Sequence, residues 1–358
     1  MQQAYHQKMY DCWGGLVDYW YPLTEISALN KNTAIKVRAF SLHYIVWMNH
    51  LGELSVFLDT CAHKQSPLSS GKVHDGKLQC PYHGWQFDHQ GACVDIPYSN
   101  NKNDCNNKQL VVITSKVEGQ ILWFYPGDVE QDKKKAVADK AQINWQYQTG
   151  DIIKKDEFDC DEQLLIENFM DSPHTNFIHT GLIRKKQTRK SRDIKIYLDK
   201  QQKLYVDHLP NDESLGPFNW FINPNKDKVT HQDIFVAPSE IDIHYQFEMN
   251  KTNFRTQIMT CPIDENTTRA FFKVSCQFRM FNPLIRLGLR LFLPVVLWQD
   301  KRIVSLQANN PSKLVAYPGA FIHYDIYSYQ VKLLRQQART KQCVVGLLSS
   351  SEYTSLTL

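Results

Sequence analysis

The sequence predicts an α+β chain. An all-β N-terminal domain over residues 16–130 is followed by a larger domain over 146–358, an antiparallel sheet flanked by helices. Three observations predict it. Short runs alternating apolar and polar residues, set between Gly, Asn and Asp, fill the first third of the chain. A polar, charge-dense stretch follows, "PGDVEQDKKKAVADKAQ", which reads as a solvated linker. Beyond it, long alternating runs mix with segments whose apolar residues recur at helical spacing.

The elements follow in order. "AIKVRAFSLHYIVWMN", "LSVFLDTC", "KLQCPYHGWQFDHQGACVDIP" and "GQILWFYPG" read as the strands of the first domain. After the linker, "DIIKKDEFD" and "KIYLDKQQKLYVDHL" read as strands, and "EQLLIENFMD" has helical apolar spacing. "EIDIHYQFEMN", "FRTQIMTCPI" and "RAFFKVSCQFRM" suit one antiparallel sheet. "WQDKRIVSLQ" and "IYSYQVKLLRQQA" read as late helices. The apolar run "LIRLGLRLFLPVVLW", residues 284–298, is interrupted by Arg286, Arg290 and Pro294 and falls short of a bilayer span. It is expected to be a core helix, with membrane contact as the alternative.

Composition narrows the class. The chain has 358 residues, 42% hydrophobic and 22% charged, as in ordinary globular proteins. A net charge of +4 is too small for this length to point to nucleic acid. The N-terminal "MQQAYHQKMYDCWGG" lacks the apolar core of a signal peptide, so a cytoplasmic location is expected. Nine cysteines then read as reduced thiols. Cys12, Cys93, Cys105, Cys160, Cys261, Cys276 and Cys343 are expected to be ordinary buried ones.

Cys61 and Cys80 differ because of their neighbours. Cys61-Ala62-His63 is followed, after sixteen residues, by Cys80-Pro81-Tyr82-His83. Thiolate and imidazole are ligands for zinc and for iron–sulfur centres. A zinc finger groups its two Cys together and its two His together. Here each half supplies one of each, which suits a [2Fe–2S] cluster whose two irons are served by both loops. Pro67 and Gly84 are turn formers, and Tyr82 and Trp85 are placed to shield a cluster. With "CPYHGW", the pattern resembles the Rieske domain. One departure is Lys64, where Rieske oxygenases often carry Arg. The charge is kept and the planar fork lost.

A second constellation lies in "ENFMDSPHTNFIH", which holds Asn168, Asp171, His174 and His179. Two His near a carboxylate look like part of the 2-His-1-carboxylate triad that binds non-haem Fe(II). Pro173 cannot sit inside a helix cheaply, so Ser172 is expected to cap a helix restarting at Pro173. Alone the motif is weak, but N-x-x-D-x-x-H-x4-H resembles the mononuclear iron motif of Rieske oxygenases at every position. The late segment "LWQDKRIVSLQ" offers Asp300 as the third ligand. On a helix it shares a face with Ile303, Val304 and Gln307, and a buried lone carboxylate is costly unless a metal holds it. Capping the helix after Pro294 is the alternative.

The resemblance spans about residues 16–310 and implies the rest. Asp171 would bridge the two metal centres, hydrogen-bonding a cluster His of the neighbouring subunit and a mononuclear-iron His. Asn168 would stand behind the iron ligands. "DYWYPL", Asp18 to Leu23, resembles the start of homotrimeric monooxygenases and demethylases acting on vanillate-like aromatics or steroids. Their chemistry implies O₂, electrons from NAD(P)H through a separate reductase or ferredoxin, and a small hydrophobic substrate that is hydroxylated or demethylated. A pure electron-transfer protein and a desaturase of a sterol-like lipid are the alternatives. The pocket is expected to be lined from the second domain's sheet and from segments such as "LGPFNWFINP" and "DIFVAPS", with Phe218, Trp220 and Phe221 as candidate lining.

Overall fold

The computed structural model describes residues 1–128, 145, 148, 150–182, 193–211, 228–247, 252–277, 282–312, 320, 325–348 and 354–357. Contacts divide the chain into two units, Met1–Ala138 and Asp139–Leu358. The expected linker falls largely outside the described residues.

The first unit opens with helix α1 (Gln2–Trp13), which the sequence pattern does not predict. Tyr5 and Met9, one turn apart, form its buried side. Ten strands follow: β1 (Tyr21–Glu25), β2 (Thr33–Ala39), β3 (Leu42–Met48), β4 (Leu54–Leu58), β5 (Lys72–His74), β6 (Lys77–Gln79), β7 (Gln86–Phe87), β8 (Cys93–Asp95), β9 (Val112–Glu118) and β10 (Ile121–Tyr125). One sheet runs β1-β10-β9-β4-β3-β2, and a small meander runs β5-β6-β7-β8.

Two-residue turns close three hairpins. Phe40-Ser41, Asp75-Gly76 and Gly119-Gln120 all have positive φ, the requirement of a turn that matches strand twist. Phe40 is unusual there, since a bulky side chain resists that backbone. Its ring is buried edge-on against Tyr21 at 4.8 Å and Trp13 at 5.0 Å, and that packing offsets the strain.

The second unit is an eight-stranded antiparallel sheet in the order β11-β17-β16-β15-β14-β13-β12-β18. Its strands are β11 (Ile152–Phe158), β12 (Asp193–Leu198), β13 (Leu204–Asn211), β14 (Val229–Val236), β15 (Glu240–Phe247), β16 (Thr252–Asp264), β17 (Thr267–Gln277) and β18 (Thr354–Thr357). Helices α2 (Glu162–Met170), α3 (Thr175–Ile178), α4 (Asn282–Ala308) and α5 (Ile326–Thr340) complete it. Leu165, Ile166 and Met170 of α2, Leu297 and Val304 of α4, and Tyr327, Val331 and Leu334 of α5 share one core with sheet residues such as Ile196, Val206, Ile258 and Phe272. A buried ion pair fastens this layer. Arg335 of α5 donates to Glu162 at 2.7 Å, and Thr260 of the sheet donates to the same carboxylate at 2.7 Å.

Several expectations are corrected. Helix α4 runs through Pro294, and Asp300 is buried within it as expected, which removes the alternative of a cap on a helix starting after Pro294. Val304 shares Asp300's inward side, but Ile303 is 37% exposed and Gln307 is exposed, because the buried side runs through Leu297, Asp300 and Val304. The run 284–298 is not wholly core: Leu287, Leu291 and Trp298 face solvent. Ser172 is not a cap. Asp161 caps α2 by accepting from Leu164 N–H, and the turn Ser172–His174 starts from Asp171 with Pro173 in its first positions. Of the seven cysteines expected to be buried, Cys12 and Cys343 are exposed and Cys105 and Cys276 half-buried.

Candidate metal centres

In the first unit, Cys61 and His63 follow β4, while Cys80 and His83 lie between β6 and β7. The two loops share one hydrogen-bond pattern. Each Cys N–H donates to the carbonyl five residues on, Cys61 to Ser66 at 2.9 Å and Cys80 to Trp85 at 2.8 Å. Each Cys carbonyl accepts from the N–H four residues on, that of Gln65 or of Gly84, at 3.1 Å in both loops. The donor four residues on has a left-handed backbone in both, at φ 56 for Gln65 and 72 for Gly84. Gly84 has a second reason to lack a side chain: a Cβ there would lie 3.1 Å from Pro97.

These paired turns bring the four side chains together. The thiols of Cys61 and Cys80 are buried and close enough to act on each other's ionisation, while the His63 and His83 rings sit outward, 4.7 Å apart. Burial, reinforced by the Cys80 thiol, pushes the Cys61 thiol up to about 11, so a thiolate there calls for a cation. Two inward thiols and two outward imidazoles fit a [2Fe–2S] cluster. Trp85 is buried and stacks on His63 at 4.6 Å and 6°. Tyr82 lies against His83 but is 66% exposed, so it does not shield the site as expected.

In the second unit, the break after α2 turns His174 and His179 toward α4. Their Nε2 atoms lie 3.4 and 3.1 Å from Asp300 Oδ1, and their rings stand at 73°. Donors at right angles around a divalent ion, each about 2.1 Å away, are separated by about 3 Å. The remaining nitrogens fix the tautomers: His174 Nδ1 pairs with the Asp171 backbone carbonyl, and His179 Nδ1 with Gln299 Oε1 at 2.9 Å. Both Nε2 lone pairs are thereby freed for a metal, and the residues fit one. Asn168 Nδ2 reaches Asp300 at 3.4 Å, on the expected side of the site. Burial opposes ionisation of Asp300, yet the two imidazoles hold its carboxyl below the usual range.

Asp171 differs from expectation in detail. Its link to His174 runs through the backbone carbonyl, while its carboxylate accepts from the Tyr327 hydroxyl at 3.0 Å. Burial pushes that carboxyl up, against the pull of His174 and Tyr327. Sequence reasoning missed Gln299 and Tyr327. Neither carries a motif signal, since each matters through a partner more than a hundred residues away.

It also missed a second set of the same composition. Among the described residues, His208, His231 and Asp233 also bring two imidazoles and a carboxylate together. Both Nε2 atoms meet the carboxylate, at 3.0 and 2.8 Å. Here the rings are stacked, 4.3 Å apart and 9° from parallel. A metal lies in the plane of each imidazole that binds it. Two stacked planes a van der Waals gap apart cannot both contain an ion about 2.1 Å from each nitrogen. This set is a hydrogen-bonded clamp on a buried carboxylate. Ring geometry, not residue type, separates it from the His174–His179–Asp300 set.

A cavity of about 190 Å³ opens beside His174, His179 and Asp300. Ile243, Tyr245, Phe254 and Phe272 line it from the sheet, and Phe292 and Val296 from α4. The sheet lines it as expected, α4 does so without having been expected, and the segment "DIFVAPS" does not. Phe218, Trp220 and Phe221 lie outside the described residues.

The comparisons agree with this layout. The chain matches the Rieske [2Fe-2S] domain over residues 19–118 and the vanillate O-demethylase oxygenase C-terminal domain over 158–322. It is 32% identical over 167 residues to chlorophyllide a oxygenase of Chlamydomonas reinhardtii, covering 47% of this chain and 25% of that one. It is 24% identical over 304 residues to 4beta-methylsterol monooxygenase of Methylococcus capsulatus, covering 79% and 71%. The chain spans 25–30% of the chlorophyllide a oxygenases it matches. In fold it is similar to the crystal structure of dicamba monooxygenase bound to dicamba, with TM-score 0.76 and 19% identity, over 91% of this chain and 98% of that one.

Proposed function

Since the chain belongs to the Rieske non-haem iron oxygenases, with a Rieske domain ahead of an oxygenase C-terminal domain, we propose that it is a terminal oxygenase. It hydroxylates or oxidatively demethylates a small apolar substrate, using O₂ and electrons delivered from NAD(P)H by a separate reductase or ferredoxin. Cys61, His63, Cys80 and His83 hold the cluster, and His174, His179 and Asp300 hold a mononuclear iron. Bound there, the two metal groups supply electron transfer and O₂ chemistry. The chain works as a homotrimer, with Asp171 linking the His174 side to a cluster histidine of a neighbouring subunit.

One observation carries the reading: two imidazoles whose Nδ1 atoms are already engaged aim Nε2 at one buried carboxylate, beside an apolar cavity. A pure electron carrier has no use for that arrangement. The protein's own residues do the rest. The Asp171 carbonyl and Gln299 keep both imidazoles in the metal-binding tautomer. Asn168 supports Asp300. Phe254, Phe272 and Phe292 exclude water and position the substrate. An engineered cavity of about 150 Å³ admits benzene. A space of about 190 Å³ therefore has room for a substituted aromatic ring.

The test is substrate-dependent O₂ uptake, with a ferredoxin–reductase pair, across single-ring and polycyclic aromatics. Asp300→Ala is expected to lose turnover and one of three irons per chain while keeping the visible spectrum of the cluster. Retained turnover would overturn the assignment of Asp300.

A further inference from the structure

The first unit packs two pairs of thiols in and against one apolar cluster. Cys61 and Cys80 are the pair assigned to the iron–sulfur group. The other pair, Cys93 and Cys105, packs in the same cluster and has no assigned task. The Cys105 thiol lies close enough to Cys93 to act on its ionisation. Cys93 opens β8, and Cys105 closes a short 3-10 turn, Lys102–Cys105. Lys108 ties the two backbones together: Cys93 N–H donates to its carbonyl at 2.8 Å, and its N–H donates to the Cys105 carbonyl at 3.2 Å.

We infer that Cys93 and Cys105 are a dithiol that closes to a reversible disulfide under a hydroperoxide. The inference does not depend on the oxygenase reading. The two thiols differ in access: Cys93 is 7% exposed and Cys105 is half-buried. Burial, with the Cys105 thiol beside it, pushes the Cys93 thiol up to about 12, which leaves it a slow first nucleophile. Cys105 therefore meets the oxidant. Its sulfur attacks one peroxide oxygen, the O–O bond breaks, and a sulfenic acid and water form. Cys93 then attacks that sulfur, the S–O bond breaks, and the second water leaves. Two thiols and one hydrogen peroxide give one disulfide and two waters.

The crosslink has a structural consequence. The segment it closes carries Ile96, which packs with the cluster cysteines, and Pro97, which lies against Gly84 beside His83. Closing the loop would stiffen the support under the second ligand loop.

The experiment treats the holoenzyme with one equivalent of hydrogen peroxide, blocks remaining thiols with N-ethylmaleimide in denaturant, and maps peptides by mass. The expected result is two fewer blocked thiols, a Cys93–Cys105 linked peptide, reversal by dithiothreitol and an intact cluster spectrum. The thermal midpoint should rise by at least about 5 °C, since closing a loop constrains the unfolded chain. Cys105→Ser should form no link and show no rise. Both thiols still blocked after peroxide would overturn the inference. So would a link through exposed Cys12 or Cys343, or a Cys61–Cys80 link with bleaching of the cluster.

Discussion

At the scale of single residues, the proposed mononuclear iron site would depend on groups that do not reach the metal. As a ligand through Nε2, His179 would need Nδ1 to keep its proton, and Gln299 Oε1 stands 2.9 Å from Nδ1 to hold it. Gln299→Leu removes the acceptor with little change in volume. Fe(II) titration of the iron-depleted protein should then show affinity weaker by about 10–100-fold, the usual effect of losing such a partner. The cluster spectrum should not change, and wild-type affinity in the variant would mean that another group orients the ring. The proposed ligands could be picked out from the sequence, because Cys-x-His, Cys-x-x-His and His-x4-His are local spacings. Gln299 was not. Its role depends on a contact between α4 and the turn after α2, which no local pattern encodes. The second His/His/Asp set makes the converse point. Residue types alone would have made it a metal site, and only its 9° ring angle excludes that.

At the scale of elements, that clamp ties strands together. His208 and His231 are cross-strand partners on β13 and β14, and His231 stacks on Tyr245 of β15 at 4.3 Å, so the column ends at a ring lining the cavity. Burial works against the Asp233 charge, but the two imidazoles win and hold its carboxyl well below the usual range. A depressed folded value gives stability that is fully present above the unfolded value, about 3.9, and is lost as pH falls below that toward and through the folded value. Urea midpoints at pH 5 and pH 3 should therefore fall more steeply for the wild type than for Asp233→Asn. At neutral pH the amide can accept from one imidazole but presents N–H to the other. Asp233→Ala removes both bonds and should cost about 3–5 kcal/mol, as when one partner of a buried charged pair is lost. Equal acid slopes in wild type and Asn variant would refute an ionised clamp. Turn chemistry shows where element-level reading stops. Asp75-Gly76 is a hairpin signal in any sequence. Phe40-Ser41 is not, because its turn is made affordable by Trp13 and Tyr21, both distant in the chain.

At the scale of the whole molecule, the order of the two units was legible because the charge-dense stretch separates short alternating runs from long ones. Strand partners were less so. Alternation says which face a strand buries but not what it pairs with, so β11 pairing with β17 and β12 with β18 had no local signal. The same limit applied to the triad, whose Asp300 lies 126 residues beyond His174 and arrives on a helix packed against that sheet. Each unit has its own core and its own ligand set, which makes the metals separable. A mild chelator should strip the proposed mononuclear iron, which three protein ligands would leave with open coordination positions, before it attacks a cluster held by two buried thiols. Metal content should fall from three irons to two per chain with the cluster absorbance unchanged. Restoring Fe(II) to about 100 times its dissociation constant should stabilise the fold by about 2.7 kcal/mol through mass action. For a unit of this size, that raises the thermal midpoint by about 5–11 °C. His174→Ala should show neither the loss of iron on chelation nor the rise on adding Fe(II). If the variant responded as the wild type does, the stabilising ion would be bound elsewhere.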